Sequence, residues 1–226
     1  MNYDELLAAL RRGAEERYKT FNDGIVNSGL RSMGVRLPTV RKIAKDVSLD
    51  DALSYPVNEW LEVDTVIGMV VSGAKLPFAD KAPLLVRFAD IIENWAVCDC
   101  NTVKVPRAEQ AQYFDFFRAL ARSERPFVCR YGIVNLLGNF LDDEHIDGVF
   151  DVLADVKPYG EYYVDMAAAW LVATAAAKCR DKTFDFLTGR GREVLNVFTY
   201  NKALQKMRDS YRISAEDKAA TYALKR

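Results

Sequence analysis

The run Val164–Ala177, VDMAAAWLVATAAA, is nearly uncharged over 14 residues and contains a single acid, Asp165. A helix that is apolar on every side is buried, either in the core of a protein or in a membrane. A bilayer span needs roughly 18 to 20 apolar residues, so this run is too short to cross one. It therefore predicts a helix in the centre of a packed core.

Helical spacing of apolar residues extends over nearly the whole chain, and convincing alternating runs are absent. Prolines mostly stand just ahead of these apolar stripes, where the missing N–H costs little. The seven prolines are Pro38, Pro56, Pro77, Pro83, Pro106, Pro126 and Pro158. After Pro158, helix boundaries are expected at Gly189 and Gly191, and at Ser214 with Asp217 in a variant of the capping box. The chain is predicted to be all-α.

The helical segments repeat with a period of about 35 residues, in helix length and in apolar phase rather than in residue identity. Trp60, Trp95, Arg130 and Asp165 take equivalent places in this repeat. Such a repeat is typical of helix pairs stacked into a curved superhelix, whose concave side suits an extended partner such as a nucleic-acid duplex. An irregular helical bundle is the alternative. Since no Ser/Gly-rich linker divides the chain, residues 1–226 are expected to form a single domain.

Composition limits the class of protein. The N-terminus mixes acids and arginines around a short apolar stripe, unlike a secretory signal, so we expect a cytoplasmic protein without a membrane segment. Four cysteines, Cys98, Cys100, Cys129 and Cys179, are too few for a disulfide framework and are expected to be buried thiols. With His145 as the single histidine we expect no metal and no cofactor. A net charge of −1 neither indicates nor excludes a nucleic-acid partner.

Four local patterns stand in a fixed order along the chain. Gly34–Lys45 is a loop followed by a basic helix that starts at a proline, and Asn94–Asp99 contains a W-x-x-x-D element. Phe127–Val134 places an arginine at the start of an apolar helix, and Tyr162–Trp170 carries a second tryptophan. In order and spacing the chain resembles the AlkD-like DNA alkylation repair enzymes. The resemblance implies HEAT-like helical repeats and removal of cationic N3- or N7-alkylated purines from duplex DNA, without metal and without base flipping.

The resemblance also implies roles for individual residues. Asp99 would stabilise the positive charge that develops on the deoxyribose, while Trp95 and Trp170 would form the walls of the cleft. Because Trp95 and Asp99 are four residues apart, both side chains should project from one helix face. Arg130 would contact a phosphate near the lesion. Further candidate contacts to the DNA backbone are Arg36, Arg41, Lys42, Lys202, Lys206 and Arg212.

Each role has a structural alternative. The tryptophans can be core aromatics, Asp99 a surface acid, and Arg130 the partner of Glu124 or Asp99 in a salt bridge. The basic clusters can be solvated helix faces. Moreover, the stretch Gly160–Ala177 has no Lys or Arg but contains the acids Glu161 and Asp165, so this edge would repel rather than attract phosphates.

Three functions therefore stay open: a DNA N-glycosylase, a non-catalytic module that binds DNA of unusual shape, and a protein–protein scaffold. The first requires Trp95, Asp99, Arg130 and Trp170 to converge on an accessible cleft. The partner expected first is duplex DNA carrying alkylated bases, bound by a monomeric protein.

Overall fold

The computed structural model describes the whole chain, Met1–Arg226, and about 70% of its residues are helical. It contains 15 α-helices, a 3-10 turn at Arg107–Glu109 and no strands, only two isolated backbone bridges. The predicted all-α fold is confirmed. The chain divides into two compact units, which we call unit 1 (Met1–Lys104) and unit 2 (Val105–Arg226).

Unit 1 contains seven helices arranged around α5. They are α1 (Tyr3–Arg12), α2 (Glu16–Val26), α3 (Leu37–Ala44), α4 (Leu49–Ser54), α5 (Leu61–Gly73), α6 (Phe78–Ile91) and α7 (Trp95–Cys100). Helix α5 packs against α1, α3, α4, α6 and α7, and its first eight residues are buried. It therefore carries the core of this unit and positions the helices on either side of it.

Unit 2 contains eight helices, most of which pack in two rows. They are α8 (Gln110–Ala121), α9 (Pro126–Asn139), α10 (Ile146–Ala154), α11 (Tyr162–Lys178), α12 (Arg180–Thr188), α13 (Gly191–Val194), α14 (Val197–Asp209) and α15 (Ala215–Leu224). Helices α9, α11 and α14 pack in one row, while α10 packs on α8 and α12 in a second. The run Val164–Ala176 is buried in α11 apart from Met166 and Trp170, so the predicted core helix is confirmed.

The period of about 35 residues is visible in the helix starts. Helices α5, α7, α9, α11 and α14 begin at Leu61, Trp95, Pro126, Tyr162 and Val197, so successive starts lie 31 to 36 residues apart. The prediction that helix length repeats is wrong at α7, which has 6 residues where α11 has 17. Helix α7 ends at Cys100, and the side-chain Nδ2 of the next residue, Asn101, donates to the Val97 carbonyl at 2.7 Å.

The predicted helix ends are mostly correct. Ser214 caps α15 by accepting from the Asp217 N–H at 3.0 Å, and Pro38 and Pro126 lie in the first turn of their helices. The Asp217 carboxylate accepts from Arg180 Nε at 3.0 Å. Pro83 differs from the prediction, because α6 continues through it. The buried Leu85 and Phe88 that follow hold α6 against the core despite the lost backbone hydrogen bond.

None of the helices combines the length and the apolarity that crossing a bilayer would require.

Candidate functional site

The W-x-x-x-D element lies on α7, a short helix whose start is fixed by the residue before it, Asn94. Asn94 is buried and caps it, accepting from the Val97 N–H at 2.9 Å. The Asn94 Nδ2 also lies 3.4 Å from the Ser28 hydroxyl of the loop after α2. Trp95, the first residue of α7, is therefore placed by a buried cap rather than by helix length.

The end of α7 is fixed to α5. Ser72 Oγ donates to the Asn101 carbonyl at 2.7 Å, and Gly68 gives the Asn101 side chain room. A Cβ at Gly68 would lie 2.4 Å from Asn101 Nδ2. Lys81 is buried, and its Nζ donates to the Ser72 carbonyl at 2.6 Å and to the Ala74 carbonyl at 2.9 Å. These contacts make the position of α7 depend on the packing of α5 and α6.

Trp95 and Asp99 are both half-buried, one helical turn apart, while Val97 and Cys98 between them point into the core. The predicted shared face is thus consistent with their burial. Burial raises the pKa of the neighbouring Cys100 thiol, the negative charge of Asp99 raises it further, and Arg41 lowers it. Arg41 of α3 is therefore within electrostatic range of this end of α7.

Two cations of unit 1 line one open groove of about 520 Å³ between α3 and α5. They are Arg41 and Lys45, and the groove has an apolar lining that includes Val47 and Met69. Lys45 was missed among the candidate residues, although its place four residues after Arg41 was a signal that both lie on one face. Lys42 is exposed and lies outside the lining of this groove.

Arg36 already binds other side chains of unit 1. Its Nε donates to Glu15 at 2.9 Å, and its guanidinium lies 4.7 Å from the centre of the Tyr18 ring. The Glu15 carboxylate raises the pKa of Arg36. Contact with a phosphate would have to compete with these interactions, although the side chain remains more than half exposed.

A buried carboxylate that the sequence did not single out shapes the loop before α3. Glu62 Oε1 accepts from the backbone N–H groups of Gly34 and Val35 at 2.8 and 3.1 Å, and from that of Met33 at 3.0 Å. Gly34 has a φ of +76°, and a Cβ there would lie 2.9 Å from the Lys19 Cα. The loop that starts the first sequence pattern is therefore held by a backbone-to-carboxylate cluster.

Arg130, in unit 2, is placed differently from the pair on α7. It is only 6% exposed, and its guanidinium donates to the Tyr163 carbonyl at 2.5 Å, joining α9 to the start of α11. Glu124, one of its suggested partners, instead lies 3.3 Å from Lys157. Arg130 thus contributes to the packing of unit 2, and the phosphate role that the resemblance implies stays a prediction.

The remaining predicted residues of unit 2 lie at its surface. Trp170 is half-buried on α11, two turns beyond Tyr163. Lys202 and Lys206 are half-buried on α14, where Lys202 Nζ lies 2.9 Å from Gln205 Oε1, and Arg212 is exposed in the turn after α14. Trp95 and Asp99 belong to unit 1 and Arg130 and Trp170 to unit 2, so convergence of the four on one cleft stays a prediction.

The cysteines are free thiols, and all are buried except Cys100, which is half-buried. Burial raises the pKa of Cys129 to about 12, so this thiol is protonated and packs as a small apolar group. Nowhere in the chain do three or more His, Cys, Asp or Glu side chains form a group that could hold a metal ion.

Comparison with known proteins identifies the family. A model of the family described as DNA alkylation repair enzyme matches residues 6–207. No curated protein matches the chain. The matched range contains α7 with Trp95 and Asp99, and also Arg130 and Trp170. With about nine tenths of its length matched by the family model, the chain belongs to the DNA alkylation repair enzyme family.

Proposed function

We propose that this member of the family is a DNA N-glycosylase that removes cationic N3- or N7-alkylated purines from duplex DNA. The observation that carries the proposal is the pair Trp95 and Asp99 on the solvent-accessible face of α7. Asp99 is the acid that the resemblance assigns to catalysis. Base release from alkylated DNA needs a carboxylate to stabilise positive charge, which Asp99 can provide.

Release of an alkylated purine does not require protonation of the base by an acid. A purine alkylated at N3 or N7 is already positively charged, so when its bond to the sugar C1′ breaks, the electron pair leaves with a neutral base. Positive charge then develops on the deoxyribose. A nearby carboxylate stabilises that charge, and water adds to C1′ while it gives up a proton to the surrounding solvent. Asp99 supplies this carboxylate, and the Trp95 ring offers its negative face to the same charge.

The surroundings of α7 support a preorganised site. An electrostatic group is most effective when its position needs no adjustment during the reaction. Helix α7 is capped by the buried Asn94, and Ser72 binds its C-terminal end. Asp99 is therefore carried by a helix whose two ends are held by other elements of unit 1, which is what a site on a rigid support requires.

Contacts to the DNA backbone are proposed for the basic side chains at the surface. Arg41 and Lys45 share one groove in unit 1, and a pair of cations on one face can bind adjacent phosphates. Lys42, Lys202, Lys206 and Arg212 keep their predicted roles, as does Trp170. Arg36 is the weakest candidate because Glu15 already binds its guanidinium. A cytoplasmic location and a monomeric state also stay predictions.

A second candidate, a DNA-binding module without excision activity, is favoured by two observations in unit 2. Arg130 is buried against a backbone carbonyl, and the stretch Gly160–Ala177 contains no cation that could attract phosphate. A protein that keeps the scaffold but has lost the reaction would bind DNA and release no base.

Base release separates the two candidates. Purified protein is incubated with duplex DNA methylated at purine N3 and N7, and free base is measured by chromatography beside an unmethylated duplex. The glycosylase proposal expects release of free methylpurine from the methylated duplex alone. Binding of the methylated duplex without any release would reject the glycosylase and leave the binding module.

A further inference from the structure

Four aromatic side chains at the N-terminal ends of α9, α11 and α14 form a continuous chain of ring contacts within unit 2. Ring centroids are 5.3 Å apart between Phe127 and Tyr163, and 5.3 Å apart between Tyr163 and Tyr162. Tyr162 and Phe198 continue the chain at 6.2 Å. We name these four residues the aromatic ladder.

The ladder is anchored on one side and accessible on the other. Phe127 and Tyr163 are half-buried, whereas Tyr162 is 57% and Phe198 44% exposed. Apolar groups that remain together at a surface are typical of binding sites, since isolated exposed rings are common but contiguous ones are not. Along α11 the same accessible edge continues through Met166 to Trp170, at helical spacing from Tyr163.

Charge is distributed unevenly around the ladder. Lys202 Nζ lies 5.8 Å from the centre of the Phe198 ring, and Lys206 follows one turn later on α14. On the α11 side the exposed Glu161 precedes Tyr162, and no cation occurs between Gly160 and Ala177. A ligand that fits would present flat apolar faces to the rings and negative charge to the α14 edge only.

From this arrangement we infer that the aromatic ladder is a stacking surface for unpaired bases of a DNA strand, whose phosphates run along the lysine edge of α14. Bases inside a duplex are already stacked on each other, so only unpaired bases can lie on these rings. Aromatic rings beside basic residues are the usual means of binding single strands without sequence preference. The inference rests on the DNA association of the family and is independent of the chemistry proposed for Asp99.

The test compares a single DNA strand with a DNA duplex, using short unmodified oligothymidine and its duplex with oligodeoxyadenosine, both fluorescently labelled. The double variant Tyr162→Ala/Phe198→Ala removes the two accessible rings. It is expected to lose from about 5-fold to about 100-fold in affinity for oligothymidine, and far less for the duplex. Tyr211→Ala is the matched control, because Tyr211 is a fully exposed aromatic residue outside the ladder; the affinity of this variant should stay within about twofold of wild type.

A second variant protects the test against misfolding. Phe198→Trp keeps a ring in the ladder and adds a fluorophore to the three native tryptophans. Oligothymidine should quench its emission more than that of wild type, because the added ring lies where the bases stack. Glu161→Gln removes the negative charge next to the ladder. It should strengthen single-strand binding, while the dependence of affinity on salt concentration should change little.

Two results would overturn the inference. One is oligothymidine affinity that is the same in wild type and double variant, together with emission from Phe198→Trp that is quenched no more than that of wild type. The other is a wild-type dimer, seen by sedimentation, that the double variant dissociates, which would make the ladder a contact between two copies of the chain. Because the probe carries no alkylated base, absence of excision activity would leave the outcome unchanged.

Discussion

Helix α7 of unit 1 and helix α9 of unit 2 both carry candidate functional residues, but they differ in how far those residues are buried. The six-residue α7 presents Trp95 and Asp99 half-buried at its surface, and neighbouring side chains hold both of its ends. The fourteen-residue α9 buries Arg130 and joins it to the Tyr163 carbonyl. Two motif residues can thus differ in burial: Trp95 and Asp99 remain partly accessible on α7, whereas Arg130 links two core helices and contributes to their packing.

The same two units also use buried acids differently. Asp64 near the start of α5 accepts from the Asn58 N–H at 3.1 Å, and Asp165 near the start of α11 accepts from the Gly160 N–H at 3.2 Å. Asp165 receives a side-chain donor as well, Asn196 Nδ2 at 3.1 Å from each oxygen. Burial raises the pKa of Asp64 to about 7, and Glu93 and Glu59 add to the rise while the Asn58 N–H opposes it. The hydrogen bonds to Asp64 thus do not offset the effect of its burial.

The largest effect is expected from the ionisation of Asp64. Its pKa is higher in the folded protein than in the unfolded chain, so its contribution to stability is fully present below about pH 4 and is lost as the pH rises through about 7. A rise from 3.8 to about 7 corresponds to about 4 kcal/mol at most. Asp64→Asn should therefore gain stability relative to wild type between about pH 5 and pH 8, measured by urea unfolding.

Asp46→Asn is the control for this experiment, because Asp46 is exposed on the same unit. A difference between Asp64→Asn and wild type that stays constant over the pH range would contradict the raised pKa of Asp64.

Replacement of Arg130 tests whether this residue serves mainly in the packing of α9 against α11. Arg130→Met keeps the length of the side chain but leaves the Tyr163 carbonyl without this charged donor, which should cost about 3 kcal/mol of unfolding free energy. The exposed Arg212→Met should change stability by less than about 0.5 kcal/mol. If Arg130→Met unfolds at the same urea concentration as wild type and only duplex affinity falls, Arg130 is a phosphate ligand rather than a packing element.

A smaller effect is expected where α7 rests on α5. Gly68→Ala places a Cβ against the Phe88 ring of α6 and the Asn101 side chain, so it should destabilise the fold by about 2 kcal/mol and lower base release by displacing α7. Gly73→Ala in the same helix meets no atom within 4 Å and should be neutral. Base release at the wild-type rate from folded Gly68→Ala protein would refute the dependence of Asp99 on this contact.

Local geometry explains which features could be predicted from the sequence. The apolar run of α11 and the period of about 35 residues follow from helical spacing, and the shared face of Trp95 and Asp99 needs only one helical turn. The buried state of Arg130 could not be predicted, because its partner carbonyl lies 33 residues away on another helix. Glu62 and the loop it holds are likewise 27 to 29 residues apart. Such pairings depend on which helices pack together, which spacing alone does not encode.

The most direct test of the account is the single-turnover rate of methylpurine release by Asp99→Asn, measured beside Asp46→Asn. Asp99→Asn should lose roughly 100- to 1,000-fold in rate, the usual effect of removing one preorganised electrostatic group. Its duplex affinity and unfolding free energy should stay near those of wild type, while Asp46→Asn should match wild type in all three measurements. Release by Asp99→Asn at the wild-type rate would contradict the claim that the carboxylate on α7 performs the chemistry.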